Sequence, residues 1–294
     1  MLLNEINIRD PFIFADEKTK TYYMYASSPA PLAKGFCVYT SRDLVNFQEP
    51  QSVFEAPADF WATDDFWAPE VHEYKGKYYL FGTFSAQGKV RTSQILVSDS
   101  LTGPFVPHSG FLAPKDWFCL DATLYIDEKG VPYAIFSHEW VQCDDGEVCA
   151  VRLSDDLSEP VSEVKKLFSA SRTGWAKSPE WNPKKTPVYV VDAPFVHKED
   201  GKEFLLWSSW ASEKEEGYAV GVCYPRNGNV LCGEYIHKPL KLPFSDSGHA
   251  MTFKDFDGKR RICFHERNSV HGKERCAIYY IKIKEGELCV YEEK

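Results

Sequence analysis

The chain has 294 residues, 44% of them hydrophobic and 26% charged, the composition of a globular protein able to bury a core without disulfide staples. Its formal net charge of −9 repels phosphate, so nucleic acid and anionic membrane are poor partners. No run approaches the ~18 uninterrupted apolar residues of a bilayer span.

Taken in chain order, the predicted elements are almost all strands. The opening MLLNEINIRDPF has no basic stretch followed by an apolar one, so it does not read as a secretory signal. DPFIF (10–14) leads into a turn at Thr19 and the return strand TYYMYAS (21–27). WAPEV (67–71) is followed by Gly76 and KYYLFGTF, and DATLY (121–125) by Gly130 and PYAIFSH. The interval 154–188, which contains SRTGWAKSPEWNPKKTP, reads as a loop or insertion on a blade. DAPFV (192–196) then precedes Gly201 and EFLLWSS, and HAMTF (249–253) precedes Gly258 and RICFH. The charge run 213–216 reads as solvated surface. Runs of 4–8 residues rich in Tyr, Phe, Val and Ile recur between turn residues, and no long segment keeps a 3.6-residue period. The fold class is all-β.

Five hairpins share one layout. Nine positions before the turn residues Thr19, Gly76, Gly130, Gly201 and Gly258 stand Asp10, Trp67, Asp121, Asp192 and His249. Successive phrases lie 54 to 71 residues apart, somewhat more than the usual four-stranded blade needs, and five of them fill the chain. This predicts a single domain, 1–294: a five-bladed β-propeller with its active site at one mouth of the central channel. The phrase-opening residues form a ring at that mouth. A second ring comes from the ends of the return strands and includes Ser28, Ser85, His138, Glu139, Trp140, Trp210, His265 and Glu266.

Taken singly, an aspartate before a strand is a turn or cap residue. Three at equivalent positions of a closed repeat converge on one pocket, where repulsion and desolvation raise at least one pKa. A protonated carboxylic acid beside an ionised carboxylate is what glycosidic hydrolysis requires. The nine cysteines lie mostly in apolar runs such as RICFH and ELCVY and include no C-x-x-C pair. They exclude a zinc knuckle and, with the missing signal, predict a cytoplasmic enzyme.

The phrases Arg9-Asp10-Pro11-Phe12-Ile13, SRDLVNF (41–47), Phe66-Trp67-Ala68-Pro69-Glu70-Val71, LDATLY at Asp121, VDAPFV at Asp192 and SGHAMTF at His249 resemble, in order and in register, glycoside hydrolase family 43. The resemblance covers nearly the whole chain. It implies a five-bladed propeller that cleaves arabinosides and xylosides with inversion. Asp10 matches the family's general base and Asp121 the carboxylate that raises the acid's pKa. Asp192 stands where the commonest phrase has the acid glutamate. Aspartate is about one bond shorter, and a misplacement of roughly 1 Å can cost about 100-fold in rate. Glu139 is therefore a second candidate acid.

The expected substrate-binding set is Arg9, Trp67, His138, Trp140, Trp210, His249 and Arg275. The resemblance implies no required cofactor, but a structural Ca²⁺ or Na⁺ in the channel that His249 would reach through water. The expected partner is an oligosaccharide, with no nucleic acid and no membrane. The alternatives are a catalytically inactive carbohydrate-binding propeller, motivated by the Glu-to-Asp departure, and a galactofuranosidase of the same family. Fructan-cleaving enzymes and glycoside phosphorylases fit poorly. The opening lacks their N-D-P-N-G phrase, and no basic cluster flanks the motifs.

Overall fold

The computed structural model describes residues 1–27, 34–211 and 217–292. Ser28 and the charge run 213–216 lie outside them. Twenty strands form five antiparallel sheets of four, each built from one contiguous stretch of chain. Blade 1 holds β1 (Phe12–Asp16), β2 (Thr21–Ser27), β3 (Gly35–Ser41) and β4 (Gln51–Glu55). Blade 2 holds β5 (Asp64–Tyr74), β6 (Lys77–Ser85), β7 (Thr92–Ser98) and β8 (Val106–Phe111). Blade 3 holds β9 (Cys119–Ile126), β10 (Pro132–His138), β11 (Glu147–Arg152) and β12 (Lys165–Ser169). Blade 4 holds β13 (Asp192–Glu199), β14 (Lys202–Trp210), β15 (Tyr218–Pro225) and β16 (Tyr235–Pro239). Blade 5 holds β17 (Gly248–Lys254), β18 (Arg260–Glu266), β19 (Arg275–Lys284) and β20 (Glu287–Tyr291). Among the described residues no helix is long and apolar enough to cross a membrane.

The aromatic richness of the sequence is used between blades. One apolar cluster joins blades 5, 1 and 2 through Met251, Phe253, Phe12, Phe36, Phe66 and Phe84. Three others fill the 2–3, 3–4 and 4–5 interfaces, the 3–4 cluster around the fully buried Trp207. Each blade thus buries both faces against neighbours, which suits mixed aromatic and β-branched strands.

The first strand of each blade starts at the candidate mouth with an irregularity. Asp10, Ala68, Asp121, Ala193 and His249 all have positive φ, between 47° and 55°. In blades 2 to 5 the ladder shifts register at that residue. These are β-bulges, and they re-aim side chains at the point where a strand enters the mouth.

Candidate active site

The bulges correct the repeat register. Blades 2 and 4 turn through two residues with positive φ, Lys75-Gly76 and Asp200-Gly201, the type I′ geometry of a tight hairpin. Blades 3 and 5 use longer turns closed by Asp127 N–H to Val131 O (3.0 Å) and Asp255 N–H to Lys259 O (2.9 Å). Counting back nine positions therefore overshoots by one residue in blades 2 and 4. The bulge ring is Asp10, Ala68, Asp121, Ala193 and His249. Trp67 and Asp192 belong one residue nearer the mouth, level with Arg9, Leu120 and Gly248.

The deep ring gathers charge. Nδ1 of His249 lies 3.0 Å from Oδ1 of Asp10 and 3.8 Å from Oδ2 of Asp121. Burial opposes charge on His249, but these two carboxylates outweigh it and push the imidazole up to about 9. Burial would likewise raise Asp10, yet the imidazoles of His249 and His265 hold it well below the usual carboxylate range. Asp121 goes the other way: burial and repulsion from Asp192 and Asp10 exceed the pull of His249 and push it up to about 8. Its Oδ2 accepts the Ala193 N–H at 3.1 Å. Burial and the Asp10 charge also raise Asp192, although the Tyr218 hydroxyl donates to its Oδ2 at 3.0 Å and favours the anion. The pocket therefore holds one firmly ionised carboxylate, Asp10, opposite a raised pair, Asp121 and Asp192, that retains a proton near neutrality.

Side chains on the second strands set the ring. The bulge N–H of Asp121 donates to Oγ1 of Thr83 (3.0 Å), that of His249 to Oγ of Ser208 (2.8 Å) and that of Asp10 to Nδ1 of His265 (3.2 Å). Each acceptor comes from the preceding blade around the ring. Arg9 lines the rim, its guanidinium bound to Oδ1 of Asn268 (2.6 Å) and 3.3 Å from Glu274, with Nε 3.9 Å from Asp10.

Several expected site residues are occupied elsewhere. Both carboxylate oxygens of Glu139 accept from Nη1 of Arg91, at 2.6 and 2.7 Å, and Nε of the same Arg91 donates to Asp65 at 3.0 Å. Burial raises Glu139 against the pull of Arg91, but a carboxylate clamped by an arginine is a poor proton donor. His138 stacks on Trp117 (centroids 4.0 Å) and bonds Glu147 and Gln142 (3.0 Å each) within blade 3. Arg275 donates to the Asn4 carbonyl (2.9 Å) and to the carbonyl of its neighbour Glu274 (2.8 Å), and so pins the N-terminal arm. Trp67 is 40% exposed at the rim, with the Arg91 guanidinium 4.3 Å over its ring. Trp140 and Trp210 are joined through the indole of Trp181.

Sequence reasoning missed Tyr218, Arg91 and Trp181. Gly248 carries a trace of the first: a Cβ there would lie 2.2 Å from the Tyr218 ring, so only glycine admits the tyrosine that reaches Asp192. Among the described residues no three His, Cys, Asp or Glu side chains are placed to hold a metal ion, and Nδ1 of His249 faces Asp10. The donor set does not fit a directly bound ion, and no step below is routed through one.

The model of glycosyl hydrolases family 43 matches residues 4–281. The chain belongs to glycoside hydrolase family 43. It is a glycoside hydrolase with the five-bladed propeller of that family. It superposes on an endo-arabinase from Bacteroides thetaiotaomicron with a TM-score of 0.90 at 40% identity, covering 98% of both chains. It is 25% identical over 252 residues to the extracellular exo-α-(1→5)-L-arabinofuranosidase ArbA of Cellvibrio japonicus, covering 80% of this chain and 67% of that one. It is also 25% identical over 226 residues to the extracellular endo-α-(1→5)-L-arabinanase 1 of Bacillus subtilis, covering 73% of this chain and 64% of the relative.

The relatives from Cellvibrio japonicus and Bacillus subtilis, and a further one from Streptomyces avermitilis, are extracellular enzymes, which overturns the expected cytoplasmic location. That expectation rested on the opening, which does not read as a signal, and on the cysteines, whose positions show why they carry no weight. Six are buried and behave as small apolar residues of the blades, a use open to either compartment.

Proposed function

We propose that this chain hydrolyses α-L-arabinofuranosyl linkages of arabino-oligosaccharides with inversion, Asp10 acting as general base and Asp192 as general acid. The observation that carries the reading is the split of the three aspartates: Asp10 held ionised by His249, Asp121 and Asp192 held towards the protonated form. Asp10 takes a proton from water as the water oxygen bonds the anomeric carbon. The bond from that carbon to the leaving oxygen breaks, and Asp192 delivers its proton there. Asp121 and Asp192 cannot both ionise cheaply in the buried pocket, so the pair keeps one proton that Asp192 can deliver. Tyr218 fixes Oδ2 of Asp192, which leaves Oδ1 to carry the acidic proton towards the leaving oxygen. Arabinosyl substrates are favoured by the likeness to the Bacteroides endo-arabinase. β-D-Xylosides form a second reading, because relatives of this chain include xylosidase/arabinosidases.

The test is hydrolysis of 4-nitrophenyl α-L-arabinofuranoside, 4-nitrophenyl β-D-xyloside and α-1,5-arabino-oligosaccharides by the wild type and by Asp10→Ala, Asp192→Ala and Glu139→Ala. On the arabino-oligosaccharides, whose leaving sugar oxygen needs a proton, Asp10→Ala and Asp192→Ala are expected to lose at least about 100-fold in kcat, and Glu139→Ala to retain turnover. On the 4-nitrophenyl glycosides, whose leaving group departs without one, the loss is expected for Asp10→Ala. Proton NMR of the first-formed arabinose anomer is expected to show inversion. Loss at Glu139→Ala with survival of Asp192→Ala would move the acid to blade 3, and a wild type that binds but cleaves nothing would favour a binding propeller.

A further inference from the structure

Of the eight tryptophans, the exposed ones are Trp67 and Trp181. Trp181 lies in the segment between β12 and β13, and its indole is 47% exposed. It makes edge contacts with Trp140 (centroids 5.7 Å, 61°) and with Trp210 (5.6 Å, 87°). Trp210 continues the row to Tyr218 at 6.4 Å, and the Tyr218 hydroxyl bonds Asp192. A line of rings thus leads from the candidate acid out along the junction of blades 3 and 4.

The scaffold under Trp181 is fixed. Lys177 N–H donates to the Trp210 carbonyl (2.8 Å), Val188 N–H to Oγ of Ser178 (3.2 Å) and Nδ2 of Asn182 to the Thr186 carbonyl (2.9 Å). Lys184 pairs with Asp144. Trp175 lies so close over Gly221 that a Cβ there would be 2.3 Å from its ring. An indole left open on a bonded loop is a preorganised apolar surface, and a ligand that covers it spends little ordering entropy.

We propose that Trp181, flanked by Trp140 and Trp210, is a stacking platform for a sugar ring on the leaving-group side of the cleaved bond. The side follows from chemistry. The acid protonates the leaving oxygen, so the departing sugar lies next to Asp192, and the aromatic row starts there. A pyranose or furanose ring presents C–H groups on one face, which suits an exposed indole between two others. This inference rests on the hydrolase reading above.

The experiment compares wild type, Trp181→Ala and Trp181→Phe on α-1,5-arabinopentaose and on methyl α-L-arabinofuranoside, whose leaving group is one carbon. The ratio of kcat/KM for the pentaose to that for the methyl glycoside is expected to fall about tenfold in Trp181→Ala, mainly through KM, and to recover in part in Trp181→Phe. An unchanged ratio, or equal losses on both substrates, overturns the platform. Calorimetric binding of arabinopentaose and xylopentaose to the same proteins separates the two levels. Binding that weakens in Trp181→Ala without any turnover by the wild type supports the platform and sinks the hydrolase reading. A wild type that binds neither pentaose overturns the platform.

Discussion

Asp10, Asp121 and Asp192 are the same residue type, and their surroundings alone separate their roles. The His249 charge sits closer to Asp10 than to Asp121, so Asp10 keeps the anion and Asp121 meets repulsion from two neighbours. In a pH–rate profile, the low-pH limb reports a base that must be ionised, and the high-pH limb an acid that must be protonated. Replacing Asp121 by Asn removes a repelling carboxylate, so the acid loses its proton more easily. The high-pH limb of kcat/KM is expected to move to lower pH, with a fall in kcat of about 100-fold. Tyr218→Phe has the opposite sign. It deletes a donor that favours the Asp192 anion, so the high-pH limb is expected to move to higher pH, while looser positioning lowers kcat by about tenfold. Profiles of the two variants on one arabinofuranoside check both signs. Shifts in the same direction would contradict the assignment of Asp192 as the acid.

At the scale of the strand, the bulge residues need acceptors for N–H groups that leave the ladder, and the second strands supply them from one register position. Thr83, Ser137, Ser208 and His265 pair with Trp67, Leu120, Asp192 and Gly248, the residues just before each bulge. Ser208 receives the His249 N–H, but the buried Ser137 hydroxyl has no hydrogen-bond partner, because Asp121 takes the Ala193 N–H that faces blade 4. The two serines should therefore respond differently to the same change. Ser208→Ala leaves a buried donor unpaired and is expected to cost about 1–3 kcal/mol, whereas Ser137→Ala removes an unsatisfied hydroxyl and should be within about 0.5 kcal/mol of neutral. Urea unfolding of both variants decides, and equal losses would contradict it. This layer also marks what was legible in the sequence. Blade number, strand order and the residues Asp10, Asp121, Asp192 and His249 follow from recurring aromatic strands and turn residues. The one-residue slip at Trp67 and Asp192 does not, since a two-residue and a three-residue turn both end in glycine. Tyr218 reaches the mouth from the start of a third strand, and Arg91 and Trp181 from irregular segments, where no period places them.

At the scale of the molecule, the ring must close between blades 5 and 1 without a shared strand, since each sheet is made from its own stretch of chain. Residues 1–9 form the fastening. Met1 and Leu3 bond Phe47 and Val45 of blade 1, Ile8 N–H donates to the Glu274 carbonyl (3.2 Å), and Arg275 holds Asn4. Ile6 and Ile8, 1% and 2% exposed, enter the apolar cluster that joins blades 5, 1 and 2. Truncating a buried Ile to Ala costs about 2–5 kcal/mol, so Ile6→Ala and Ile8→Ala should each lower stability by that order. Their consequence for function is more specific, because Ile8 is two residues from Asp10, the proposed base. Loosening the seam displaces Arg9 and Asp10 relative to His249 and His265, which come from blade 5, and leaves Asp121 and Asp192 on blades 3 and 4 in place. In Ile8→Ala, activity is therefore expected to be lost at a lower urea concentration than the fluorescence of Trp175 and Trp207, which lie in the 3–4 cluster. A variant of equal stability loss at a distant interface, Leu205→Ala in the 3–4 cluster, should lose activity and fluorescence together. Coincident transitions in Ile8→Ala would mean that the ring melts as one unit and that the seam is no weaker than the other interfaces.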